Sequence, residues 1–455
     1  MILSYEEAQC LSETISDRHN LFATIFTRKI GHRLAITRIV AAKKIFFVLK
    51  FGFNNFIGHK RSMPLFLLCF EKDILSMQSW QLPEHIADIL PDRARHLESA
   101  KERLLALFRS YGYELVHPPL MEYSASLLTH IDAGLSLKTI RVVDQISGRQ
   151  LGIRADITPQ VARIDAHLLS ANNGINRLCY SGSVLHAKPE GFLTTREPFQ
   201  TGAELYGYEG VEADIEIIEL MLKSLQIGNI NNVLLSLGHI GVFRSLASAA
   251  ELSEGQSQQL LALMQNKDTD VIKKLVGEWK LDGMWAKAFT LLPSLYGGRE
   301  VIAEARQRLP DLFNVNNALD QLETVCNAFS DQPMHIDLSE LRVDNYHTGL
   351  LYAAYGQHSH DAIARGGRYD GLGKHFGRNR PATGFSFDLR RFTGSFTEQR
   401  NPPISVAYQD LETARDAVNH LRANGERVII DYGVESNDSI ASRRLILKNG
   451  NWEVQ

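Results

Sequence analysis

Apolar residues recur at helical spacing over residues 93–111, where Leu97, Leu104, Leu107, Phe108 and Tyr111 share one stripe and Gly112 ends the run. The period then shortens. Residues 113–116 read as a strand, and Pro118-Pro119 after it suits a sheet edge or an interface. Two strands are predicted over 140–143 and 150–153, joined by a turn at Ser147-Gly148. Thr158-Pro159 opens a helix through Val161, Ile164 and Leu168, with Thr158 as the expected N-cap. Strands follow over 178–185 and 200–206, separated by a polar loop; 211–225 is an acidic amphipathic helix and 232–237 a buried strand. From about 242 to 331 helical periodicity dominates, which predicts an all-helical insertion into an α+β sheet domain. Strands resume over 334–338 and 350–355. A proline linker, Arg400-Asn401-Pro402-Pro403, then leads to a short β-α-β tail at 404–407, 411–423 and 428–431.

Two stretches hold the candidate chemistry. On the strand 200–206, side chains alternate, so Gln200, Gly202, Glu204 and Tyr206 share a face while Thr201, Ala203 and Leu205 pack inward. A glycine between two polar groups leaves room for a small ligand against the backbone. The later stretch, 341–373, holds Arg342, a planar fork suited to a carboxylate, whereas Glu204 suits an ammonium. Together they fit a free amino acid. A strand Glu paired with a surface Arg fits the same pattern equally well.

A chain of 455 residues has room for two or three domains, and a formal net charge of −3 argues against a general nucleic-acid binder. Cys10, Cys69, Cys179 and Cys326 stand too far apart for a cysteine metal site or a disulfide framework, which fits a cytoplasmic setting. His358 and His360 lack a third partner at helical spacing, so no metal and no cofactor are expected. Residues 1–76 differ from the rest, with 11 Lys+Arg against 6 Asp+Glu and apolar runs too short to span a membrane. They are expected to be a non-native or disordered extension before a start at Met77. A core domain is expected over 77–395, with the helical insertion inside it, and a small α/β domain over 403–455.

Residues 342–349 resemble the R-G-L-D-Y-Y-T-G signature of histidyl-tRNA synthetase, and 366–371 match its G-G-R-Y-D-G element without change. Residues 182–200 are similar to motif 2 and its loop in class II aminoacyl-tRNA synthetases. The resemblance implies an α+β fold: an antiparallel sheet flanked by helices, dimerising through an element like 113–119. It also implies a histidine pocket of Asp156, Thr158, Gln200, Glu204, Arg342 and Tyr346, with Gln200 and Glu204 at the substrate's amino end. His347 replaces the signature's second tyrosine.

The ATP side departs from the pattern. His186 and Lys188 stand where motif 2 supplies Arg and Glu, and Asp388 occupies the inner glycine of motif 3. An imidazole cannot reproduce a permanently charged fork. After Gly394 there follow 7 Lys+Arg and 9 Asp+Glu, a poor surface for tRNA. Residues 178–185 and 202–207 resemble instead the regulatory subunits of ATP phosphoribosyltransferase. That resemblance implies a non-catalytic protein, L-histidine as effector, and a short-form catalytic subunit as partner in a hetero-oligomer, a hetero-octamer. No tRNA and no membrane partner are expected. A working synthetase and a sensor of uncharged tRNA are the rival readings.

Overall fold

The prolines, glycines and apolar stripes resolve into a nine-stranded sheet with helices against it. The structure, a computed structural model, describes residues 81–128, 133–189, 191, 194–340, 347–357, 361–392, 401–434 and 443–455. The extension 1–76 and the pair His358 and His360 lie outside the described residues. The elements belong to one compact unit, Glu84–Gln455.

Helix α1 (Pro91–Ser110) begins on its proline, buries Leu97, Leu104 and Phe108, and stops before Gly112, whose φ of +80° suits a residue without a Cβ. Strand β1 (Glu114–Leu115) lies at the sheet edge, parallel to β5 (Asn176–Ser183). A separate three-stranded sheet combines β2 (Met121–Tyr123), β3 (Ile140–Val143) and β4 (Gln150–Ile153), the last two turning at Gly148. Then come α2 (Thr158–Arg163), β6 (Phe199–Tyr206), α3 (Val211–Ile227) and β7 (Leu234–His239). β7 begins later than the apolar pattern predicts because Asn232 adopts a left-handed turn, φ +56°.

The insertion contains α4 (Ile240–Ala249), α5 (Glu254–Gln265), α6 (Thr269–Glu278), α7 (Gly283–Leu291), α8 (Glu300–Arg308) and α9 (Phe313–Ala328). It is not purely helical: β8 (Tyr296–Gly297) joins the sheet beside β9 (Met334–Asp337). Its buried residues, among them Leu260, Phe289 and Leu322, continue the core beneath β7 and α3. The sheet is completed by β10 (Leu350–Tyr355), β11 (Ala364–Arg368) and β12 (Ala382–Asp388), in the order β1-β5-β6-β12-β11-β10-β7-β9-β8. From β5 to β7 every pair is antiparallel; β1 with β5 and β7 with β9 are parallel.

β11 and β12 are absent from the sequence expectation although they hold the sheet's centre. Their sequences, Ala-Arg-Gly-Gly-Arg and Ala-Thr-Gly-Phe-Ser-Phe-Asp, are glycine-containing and carry little strand propensity. A Cβ on Gly366 would stand 2.3 Å from both the Gly384 carbonyl and the Tyr352 ring, so close packing across strands selects glycine there. The tail also exceeds a β-α-β unit. β13 (Ile404–Ala407), α10 (Arg415–Ala423) and β14 (Val428–Asp431) are joined by β15 (Arg443–Lys448) and β16 (Asn451–Val454) in a four-stranded sheet with its own apolar core.

Candidate amino-acid pocket

One face of the large sheet carries α1 and α3; the other opens into a cleft of about 1360 Å³. Its lining includes Asp156, Thr158, Gln200 and Glu204 from the sheet side and Gln258, Leu261 and Gln265 from α5. Strand alternation places Gln200 and Glu204 on the cleft face of β6, as the sequence implies.

Glu204 forms the floor. It is 1% exposed and accepts hydrogen bonds from Thr158 Oγ1 and Tyr180 OH, each at 3.0 Å, and from Tyr369 OH. Burial drives its carboxyl up from 4.5 to about 8, against the three hydroxyl donors that favour the charge. Tyr206 OH lies 3.2 Å from Tyr369 OH and extends the hydroxyl cluster. Burial first, and then the Glu204 carboxylate, raise Tyr180, Tyr206 and Tyr369 well above the ordinary phenol value, so all three stay protonated donors.

Gln200 and Asp156 form a second, shallower polar group. Gln200 Nε2 donates to Asp156 Oδ1 at 2.7 Å and to Ser386 Oγ at 3.1 Å, while its Oε1 accepts from the Ile157 N–H at 2.8 Å. Asp156 Oδ1 also accepts from the Thr158 N–H at 3.0 Å. The capping oxygen therefore belongs to Asp156. Thr158 is the first helical residue and not the N-cap, and its hydroxyl is spent on Glu204 and Tyr180.

Four of the six expected pocket residues thus converge. Arg342 and Tyr346 lie outside the described residues; Glu340 and His347, on either side, both line the cleft. His347 is buried with its ring edge-on to Tyr369, 6.2 Å between centroids. Tyr180, Tyr369 and Ser386 are the residues that strand and motif reading passed over. Tyr180 shares the alternation of β5, and Tyr369 stands inside the 366–371 element, so a signal existed for both. The space beside Gly202 is also not left to a ligand: a Cβ there would sit 2.6 Å from Tyr180 OH and 2.4 Å from the Phe385 carbonyl. Gly202 makes room for Tyr180.

Gly384 does the same for Glu204, since its Cβ would fall 1.5 Å from Glu204 Oε2 and 2.7 Å from the Ala203 carbonyl. Gly384→Ala is expected to cost about 1–3 kcal/mol through overpacking. Gly277→Ala, on α6 with open space around it, should instead be neutral or stabilising. Urea denaturation of both variants checks this, and an unchanged midpoint for Gly384→Ala would show that Glu204 is not held in place.

A histidyl-tRNA synthetase family model matches residues 85–392, and a model for the C-terminal domain of the ATP phosphoribosyltransferase subunit HisZ matches 401–455. The ATP phosphoribosyltransferase regulatory subunit of Neisseria meningitidis is 67% identical over 380 residues, 83% of this chain and 99% of that one. The chain belongs to the ATP phosphoribosyltransferase regulatory subunit family. The regulatory subunit of Chromobacterium violaceum is 50% identical over 382 residues, again 83% of this chain and 99% of its own. In fold, a Bacillus halodurans structure described as an ATP phosphoribosyltransferase regulatory subunit/histidyl-tRNA synthetase matches with TM-score 0.70 at 25% identity, covering 80% of this chain and 96% of its own. Histidyl-tRNA synthetase from Nostoc shares the fold, with TM-score 0.66 at 18% identity over 81% of this chain and 91% of that one.

As a regulatory subunit the chain has a non-catalytic role, and the residues that depart from the synthetase motifs make structural contacts. The His186 imidazole is buried, its Nε2 donating to the Ala155 carbonyl at 3.1 Å. Asp388 Oδ1 accepts from the N–H groups of Phe199, at 2.9 Å, and Arg390, at 3.1 Å. Burial raises the Asp388 carboxyl above its ordinary value, opposed by those two backbone bonds. Arg391, the retained motif 3 arginine, donates to the Ala362 carbonyl at 2.6 Å, and Arg390 pairs with Glu197 at 3.0 Å. Among the described residues no group of His, Cys, Asp and Glu could hold a metal, and no helix is long and apolar enough to cross a membrane.

Proposed function

We propose that this protein is the cytoplasmic regulatory partner of a short-form ATP phosphoribosyltransferase catalytic subunit. It activates the first step of histidine biosynthesis and carries feedback inhibition by L-histidine. It dimerises and joins the catalytic subunits in a hetero-octamer, without engaging tRNA. The observation that carries the reading is a buried carboxylate, Glu204, ringed by three hydroxyls below a shallower Asp156–Gln200 pair.

The geometry supports a different division of roles from the one the sequence suggests. Asp156 and Gln200 are partly exposed at the mouth, where an ammonium keeps some water; Glu204 is on the floor. Burying a full ammonium there is costly, whereas an imidazole with an ordinary pKa of ~6.5 can share one proton with a carboxyl near 8. Glu204 therefore takes the imidazole, with Thr158 holding the Glu204 carboxyl, and Asp156 and Gln200 take the amino end. Arg342, with Tyr346, is assigned to the carboxylate and the remaining wall.

The test is phosphoribosyl-ATP formation by the short catalytic subunit alone, with this protein, and with histidine added. A rise on mixing, suppressed by histidine, is the expected result. No effect at saturating protein would sink the reading, and histidine-dependent ATP–pyrophosphate exchange would then restore the synthetase alternative.

A further inference from the structure

Among the cations that line the cleft, Arg365 is one that the pocket has not used. Arg365 sits on β11, the middle strand of the nine. Strand register gives its cross-sheet row as Gly202 on β6, Ser386 on β12, Arg365 on β11, Ala353 on β10 and Ser236 on β7. Four small residues share the row with one long side chain, and Arg365 is the only charged residue in it. Arg365 is exposed to the cleft and, among the described residues, has neither a carboxylate nor a carbonyl partner. By contrast, Arg390 and Arg391 on the same cleft wall are tied to Glu197 and Ala362. Five N–H donors in a fixed fork, turned into a cavity, form an anion subsite.

The anion's class follows from its surroundings. Glu340, Asp361 and Asp388 line the cleft together with Arg93, Lys138, Arg390 and Arg391, and a lining of mixed sign suits a small anion of single charge. Arg365 faces Ser386 across the strands, with Cβ atoms of such pairs ~4.5–5.5 Å apart. Ser386 Oγ in turn accepts from Gln200 Nε2, which donates to Asp156. Polar groups therefore run from the site assigned to the ammonium, through Ser386, to the strand position of Arg365.

We propose that Arg365 binds the carboxylate of the amino-acid effector. This rests on the pocket reading above. A carboxylate offers roughly four acceptor directions, enough for a bidentate bond to the Arg365 fork.

Calorimetric titration of the full chain with L-histidine and with histidinol tests the assignment, since histidinol keeps the amine and imidazole but lacks the carboxylate. Arg365→Met is expected to weaken histidine about 10–100-fold, the worth of a charged hydrogen-bonded pair, and to leave histidinol affinity unchanged. Arg365→Lys, which keeps the charge and loses the fork, should fall between. The unchanged histidinol affinity also shows that the variant is folded. Equal losses for both ligands, or no loss for histidine, would overturn the role of Arg365. A wild-type protein that binds neither ligand would overturn the pocket reading itself.

Discussion

Glu204→Gln is expected to weaken feedback by histidine about 10–100-fold while making the protein more stable. The two effects share one cause. Glu204 is held in a site that raises its carboxyl from 4.5 to about 8, because burial outweighs the hydroxyl donors. A group raised in the folded state contributes its stability below the unfolded pKa and loses it as pH climbs through the folded one. Wild type is therefore penalised progressively between pH 4.5 and about 8, and glutamine, which does not titrate, escapes the penalty. The gain should be on the order of 1–3 kcal/mol near pH 8 and vanish below the lower value, allowing for weaker hydrogen bonds to the amide. Histidine affinity should fall about 10–100-fold, since an amide cannot share the imidazole's proton. Thermal unfolding across pH, paired with inhibition curves, checks both halves; a variant that keeps histidine inhibition would remove Glu204 from the pocket.

Arg368→Met is expected to be among the most damaging single changes, although Arg368 does not line the cleft. Its Nη2 lies 2.7 Å and its Nε 3.0 Å from Asp214 Oδ2 on α3, and it also donates to the carbonyls of Tyr208 and Gly210. Arg368 is 5% exposed and Asp214 is fully buried. Removing the arginine strands a buried carboxylate, a loss of about 3–5 kcal/mol. Adding Asp214→Asn should recover part of it, because the stranded charge and not the lost pair is the main cost. Chemical denaturation of the two single variants and the double variant measures the coupling. Additive losses would show that the two groups do not act as a pair.

Arg368 also marks the limit of motif reading. The 366–371 element reads as part of a binding signature, yet its arginine clamps β11 to α3 on the core face, while Tyr369 supplies a hydroxyl to Glu204 on the pocket side. Which neighbour serves structure and which serves the pocket is decided by strand pleat, and β11 was not visible as a strand. Thr158 shows the same limit: a Thr before Pro reads as an N-cap, but the hydroxyl turns to Glu204 because Asp156 already holds the helix N–H.

What the sequence determined by itself is local and periodic. The stripe of α1, the β3–β4 hairpin and the helical run beyond residue 240 each follow from spacing, because burying one face forces the period. The alternation that puts Gln200 and Glu204 on one face was legible for the same reason. Only the tertiary structure decided what meets that face. Glycines at 202, 366 and 384 lower strand propensity locally, yet they are required where Tyr180, Tyr352 and Glu204 approach from neighbouring strands. Glu204 and Gly384 stand far apart in the chain, and only the folded sheet sets them side by side on β6 and β12.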